Sequence, residues 1–132
     1  MHLQMGTSRR LKATLIAAIC LAGCQRAVDS ASVSIEHEIT PQPTQVGIST
    51  IALKLTGPNG DPVSGARIQV EATMAHPGMR PVFHEAREAA AGKYETSVEF
   101  MMAGDWVVLL HITLPGGRQL ERRFDVKGVR PG

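Results

Sequence analysis

The chain has 132 residues, with 14 Lys and Arg against 12 Asp and Glu and a formal charge of +2. It contains no block of basic residues, so it lacks the electrostatic footprint that nucleic-acid binding needs, and nucleic acid is excluded as a partner.

The first 23 residues have the three-part layout of an export signal. Arg9, Arg10 and Lys12 make a positive start, and no acidic residue precedes Asp29. Ala13 to Ala22 is an apolar run of ten residues, too short to cross a hydrocarbon core of ~30 Å as a helix. Leu21-Ala22-Gly23-Cys24 then resembles the bacterial lipobox at all four positions. A lipobox implies cleavage before Cys24, diacylglycerol on its sulfur and usually an acyl chain on the new amino group. Cleavage there leaves 11 basic against 12 acidic residues, so the formal charge moves from +2 to −1. It also removes Cys20, while lipid consumes the Cys24 thiol, and the mature domain is left without a thiol or a disulfide. The expected organisation is a signal peptide over 1–23, a lipidated tether over 24–32, one β-domain over 33–127 and a C-terminal tail over 128–132. Such a chain belongs in the cell envelope, facing the periplasm and held on a membrane by lipid. Gln25 stands where Asp would retain many lipoproteins at the inner membrane, so both outer and inner membranes remain open.

Beyond the small polar tether, alternation at period two recurs. Val33, Ile35 and His37 alternate with Ser34 and Glu36, and Ser49, Ile51, Leu53 and Leu55 with Thr50, Ala52 and Lys54. Ile68, Val70, Ala72 and Met74 share a face, as do Tyr94, Thr96, Val98 and Phe100, and then Trp106, Val108, Leu110 and Ile112. Leu120, Phe124 and Val126 close the series, with Arg122 interrupting it. Turn formers separate these runs, at Gly57 to Pro62, Pro77-Gly78, Gly92, Gly104-Asp105 and Pro115 to Gly117. Short strands at this spacing predict an antiparallel sandwich or barrel. The segment from Phe83 to Ala91 has helix-forming composition, so it reads as a short strand with a helical turn as the alternative. The second face of the Trp106 strand (Val107, Leu109, His111, Thr113) is apolar enough to predict a strand covered on both sides.

Removing the signal leaves Met74, Met79, Met101 and Met102, with His37, His76, His84 and His111. Three of these fall within six residues, Met74 to Met79, and His84 follows five later. Thioether is a soft, uncharged ligand that suits Cu(I), whereas Zn(II) favours thiolate, imidazole or carboxylate. A Met/His set in a thiol-free exported domain therefore points to copper before other metals. Strand counting places Met74, His76, Met79, His84, Met101 and Met102 near one pole of the domain, opposite the start of the first strand. By the same count His37 approaches that pole and His111 lies towards the other. The plain structural readings stand beside this one: Met74 is in phase with core residues, and Met101 and Met102 can plug the end of a sandwich.

From about Ile48 to Val126 the chain resembles the YtkA-like domain, related to FixH-type proteins. The likeness rests on Gly57-Pro58-Asn59-Gly60, Val63-Ser64-Gly65-Ala66, Met74 to Met79, Gly92-Lys93-Tyr94, and Met101-Met102-Ala103-Gly104-Asp105-Trp106. The resemblance implies an immunoglobulin-like β-sandwich of about seven strands. It also implies a membrane-associated location and a part in copper handling, including cytochrome oxidase assembly.

The leading expectation is a non-enzymatic, membrane-tethered lipoprotein. It would hold Cu(I) through Met74, His76 and Met79, then His84, Met101 and Met102, and exchange it with a cuproprotein, oxidase-assembly or efflux partner. The alternative is a metal-free immunoglobulin-like scaffold module of an envelope complex. No nucleophile elbow, phosphate-cradling glycine loop or His-Glu-x-x-His helix argues for an enzyme, and the carboxylates are scattered over outward strand positions.

Overall fold

The computed structural model describes residues 32–132; the expected signal peptide, Cys24 and the tether up to residue 31 lie outside them. Seven strands follow in order: β1 (Ser34–Thr40), β2 (Gly47–Thr56), β3 (Arg67–Met74), β4 (Val82–Ala90), β5 (Lys93–Phe100), β6 (Gly104–Thr113) and β7 (Gln119–Val129). All pairings between these strands are antiparallel, and the spatial order is β1-β2-β5-β4-β3-β6-β7. Strand β4 changes partner midway, pairing with β3 through Val82–Ala86 and with β5 through Arg87–Ala90. The single sheet therefore curls into two layers, β1-β2-β5 and β3-β6-β7, with β4 joining them along one side. This is the neighbour order of an immunoglobulin constant-type sandwich, and the expected all-β architecture is the observed one. The helical alternative for residues 83–91 is set aside, since both halves of β4 are hydrogen-bonded into the sheet. Tertiary pairing here overrides the helical composition of Glu85, Ala86, Arg87 and Glu88.

The alternating apolar faces meet between the layers. Ile51, Leu53 and Leu55 of β2, with Tyr94, Val98 and Phe100 of β5, pack towards Ile68, Val70 and Ala72 of β3 and Val108, Leu110 and Ile112 of β6. Trp106 is buried among them, with Phe100 edge-on to it at 5.3 Å between centroids and 74° between planes. The second face of β6 departs from expectation. Val107, Leu109, His111 and Thr113 are only half-buried, because β3 and β7 flank them in the sheet and no further layer of the described residues lies over them.

Among the described residues, the side of the sandwich opposite β4 has no continuous strand pairing. There the ring of His37 stacks on Phe124, at 3.9 Å and 13°. The Val46 N–H donates to the Arg130 carbonyl at 2.8 Å, and the Arg130 N–H donates to the Thr44 carbonyl at 2.9 Å. Residues 128–130, read from the sequence as tail, thus complete the closure. His37 does not approach the end of the domain either: β1 runs on to Thr40, which leaves His37 mid-strand opposite Leu53.

Register defines two poles. Ser34 lies opposite Thr56 and Arg67 opposite Thr113, and together these mark the pole where the chain arrives from Cys24. Thr40 lies opposite Thr50, Gly47 opposite Phe100 and Met74 opposite Trp106, which marks the other, distal pole. The expected strand parity holds.

At the arrival pole the β4–β5 hairpin is pinned to the loop before β3. The buried Tyr94 hydroxyl donates to the Val63 carbonyl at 2.7 Å and accepts from the Ala66 N–H at 3.0 Å. Glu88 accepts from the Gly65 and Gly92 N–H groups, both at 3.1 Å. These two bonds hold its carboxyl below its ordinary value of 4.5. Gly92 has no room for a side chain, since a Cβ there would meet Pro62 at 2.7 Å and the Leu55 carbonyl oxygen at 2.9 Å. Replacing Tyr94 with Phe strands two backbone groups, and a loss of about 2 kcal/mol in a urea melt is expected. Glu88 contributes stability that is present above its ordinary value and lost as pH falls through its depressed folded value. Glu88→Gln is therefore expected to flatten the acid limb of a Tm-against-pH profile while Tm above pH 6 changes least with pH in both proteins.

Candidate metal centre

The distal pole is built by two connections that emerge side by side because β3 and β6 are neighbours. One runs from Met74 to Val82 and the other from Phe100 to Gly104. In the first, Pro77-Gly78 makes the turn, and Gly78 has φ +97, a value that favours glycine. One backbone bond ties the base of the first to β6, and one side-chain bond folds the second onto its own strand. The Ala75 N–H donates to the Asp105 carbonyl at 3.2 Å, and the Trp106 indole N–H donates to the Met102 carbonyl at 2.9 Å.

The six expected donors are distributed unequally over this pole. His76 is exposed at the first connection and Met79 is half-buried against the core. Met101 and Met102 are 48% and 49% exposed on the second, a large fraction for apolar side chains. Met74 is 6% exposed and belongs to the core, with its methyl group set against Gly104. His84 is set back: it pairs with Val70, four positions along β3 from Met74 and thus ~13 Å down the strand. The topology therefore puts His76, Met79, Met101 and Met102 at one end of the sandwich, keeps Met74 in the core there and leaves His84 on the flank.

His111 lies outside this group, on the outer face of β6. Its Nε2 faces Glu71 Oε2 at 2.7 Å and its Nδ1 faces Glu121 Oε2 at 3.3 Å. The two carboxylates take opposite edges of the ring, so they tie β3, β6 and β7 together and do not converge on a common point. Among the described residues no three His, Cys, Asp or Glu side chains form a group that could hold a metal. A metal at the distal pole would therefore depend on thioethers, and neutral sulfur with imidazole suits a soft monovalent ion better than a hard one.

Sequence reasoning assigned Trp106 to the core and missed its second role. The indole holds the carbonyl of Met102, four residues earlier, and so fixes the corner that presents both exposed methionines. Nothing in the local pattern marks that bond, which arises only when the corner folds back over the strand.

The fold and this pole define a seven-stranded immunoglobulin-like domain that carries a Met/His surface at one end. The chain belongs to the YtkA-like family, whose model matches residues 27–111. No curated protein matches it by sequence. Among solved structures, a superoxide reductase (neelaredoxin) from Ignicoccus hospitalis is similar in fold, with a TM-score of 0.50, 11% identity, and coverage of 78% of this chain and 87% of that one. The PmoD soluble domain from a Methylocystis species aligns with a TM-score of 0.48 and 12% identity, covering 76% of this chain and 90% of that one. At 11% identity the likeness to the neelaredoxin is one of fold alone.

Trp106→Phe keeps an aromatic ring in the core and frees the Met102 carbonyl. Stability is expected to fall by about 1–2 kcal/mol, and amide exchange at residues 103–105 is expected to quicken in hydrogen–deuterium mass spectrometry. Unchanged exchange there would show that the indole does not hold the corner.

Proposed function

We propose that this protein is an exported, non-enzymatic lipoprotein, anchored through Cys24, that binds Cu(I) at its distal pole and buffers it or passes it to an envelope partner. The observation that carries the reading is that the pairing of β3 with β6 puts two sulfur-bearing connections, distant in sequence, at one end of the sandwich. His76, Met79, Met101 and Met102 are the accessible donors, with Met74 behind them and His84 at the flank. A neutral set of this kind holds Cu(I) without protons to displace from sulfur, and its exposure favours release by ligand exchange. The part in copper handling that the family resemblance implies supports the same reading. The anchoring half is supported by the lipobox residues and by the entry of the chain at the pole away from the donors. The partner is expected to be a cuproprotein, an oxidase-assembly factor or an efflux component.

A second reading, a metal-free interaction module, is favoured by a different observation: Ile48 is 73% exposed and Phe83 53% exposed on the outer surfaces of the sheet. A titration with Cu(I) against a chelator of known affinity separates the two. The copper reading expects one ion per chain, and an affinity lowered by at least about tenfold when Met79→Leu and His76→Ala are combined. Equal affinity in the double variant would remove these ligands from the assignment. Absence of stoichiometric binding would leave the interaction module.

A further inference from the structure

The arrival pole holds a feature that the copper reading does not use. Val33, Pro58, Val63, Leu114 and Pro115 wall an open cavity of about 400 Å³. Among the described residues that line it, Arg118 has the only charged side chain. The hairpin that carries Arg118 is fixed by two backbone bonds, from the Leu114 N–H to the Arg118 carbonyl at 2.7 Å and from the Gly117 N–H to the Leu114 carbonyl at 2.9 Å. Nη1 of Arg118 is buried and has no hydrogen-bond partner. The guanidinium as a whole is half-buried, so it keeps an edge open to solvent and to an anion, while the sealed Nη1 leaves it short of a full set of partners. The natural complement of a guanidinium is a phosphate or carboxylate, which it meets through two parallel bonds.

An apolar cleft with one guanidinium selects a molecule that is hydrocarbon over most of its surface and anionic at one point. The cavity volume lies within the ~300–1,000 Å³ of small-molecule sites. Its location narrows the source. Val33, a wall of the cavity, follows Cys24 by nine residues, and nine residues reach at most ~32 Å when fully extended. A lipid on Cys24 would thus keep the mouth of the cavity close to the bilayer surface.

We infer that this cavity binds an anionic phospholipid of the anchoring membrane, with the phosphate on Arg118 and the glycerol and upper acyl carbons against Val33, Val63 and Leu114. Such a contact would orient the domain on the membrane and turn the distal pole away from it. The inference rests on the anchoring at Cys24, and the test separates the two.

Native mass spectrometry of the full lipidated protein, extracted in detergent, can count added dioleoylphosphatidylglycerol or dioleoylphosphatidylcholine. One phosphatidylglycerol per chain is expected, with phosphatidylcholine held at least about tenfold more weakly. Arg118→Leu is expected to abolish this preference. Val63→Trp, which fills the cavity and leaves Arg118 in place, is expected to reduce uptake of both lipids. Thermal melts identify any variant that fails to fold; the wild-type lipid preference and the remaining variant then decide. Equal uptake of the two lipids by the wild type, or undiminished phosphatidylglycerol in a folded variant, would overturn the inference. Preferential uptake of oleate would also overturn it, by replacing the phospholipid with a free fatty acid. The chain mass in the same spectra reports the modification of Cys24. An unlipidated chain that takes phosphatidylglycerol defeats the anchoring alone, and a lipidated chain that does not take it defeats this inference alone.

Discussion

Strand β4 has two neighbours and gives half of itself to each. Its first residues hydrogen-bond to β3 and its last to β5, so the backbone ladder passes from one layer to the other without a gap. Once the ladder turns that corner, the inward faces of β2, β5, β3 and β6 must meet, and their alternating apolar residues become one core. The direction of each strand is then fixed as well. Met74 comes to lie opposite Trp106, and the connections after β3 and before β6 have to leave the same end of the sandwich. That Met79 and the Met101–Met102 corner share one end of the sandwich is thus a property of the sheet topology, with Ala75 tied to Asp105 and Trp106 to Met102.

Much of this was legible in the sequence because period-two alternation reports directly on which side chains face inward. Ile68, Val70, Ala72 and Met74, and Trp106, Val108, Leu110 and Ile112, reveal both strand and face. The alternation grows faint in β4, where Glu85 to Ala90 carry little apolar contrast, since this strand lies at the margin of both layers and buries little. It also misleads at β6, where an apolar second face arises from flanking strands in the same sheet. His37 shows a third limit: its phase is readable, but its distance from the pole depends on how far β1 runs, and Glu38 to Thr40 give no stop signal. The methionines and histidines of the distal pole were legible as a list and their depths were not. Whether a methionine packs under Gly104 or projects from a corner depends on backbone direction, which composition does not encode.

The two poles carry contrasting chemistries. At the distal pole the candidate donors are neutral thioethers and an imidazole, and no group of three His, Cys, Asp or Glu side chains among the described residues could hold a metal there. At the arrival pole a single guanidinium interrupts an apolar lining. The closure between β1 and β7 joins these ends with weaker means than the β4 side, through the His37–Phe124 stack and the two backbone bonds at Arg130. Hydrogen bonds hold one flank of the sandwich along its length, and one ring stack with a short run of backbone bonds closes the other.

The length of β6 acts as a spacer. Ten residues from Gly104 to Thr113, rising ~3.3 Å each, separate the poles by roughly 30 Å. On an anchored chain standing upright, the exposed methionines would sit at about that height above the lipid surface, plus whatever the tether adds. A recipient would have to offer its own ligands at a matching elevation, on an extramembrane domain rather than at the mouth of a membrane channel. The sandwich would thereby select partners by reach before any side chain is recognised.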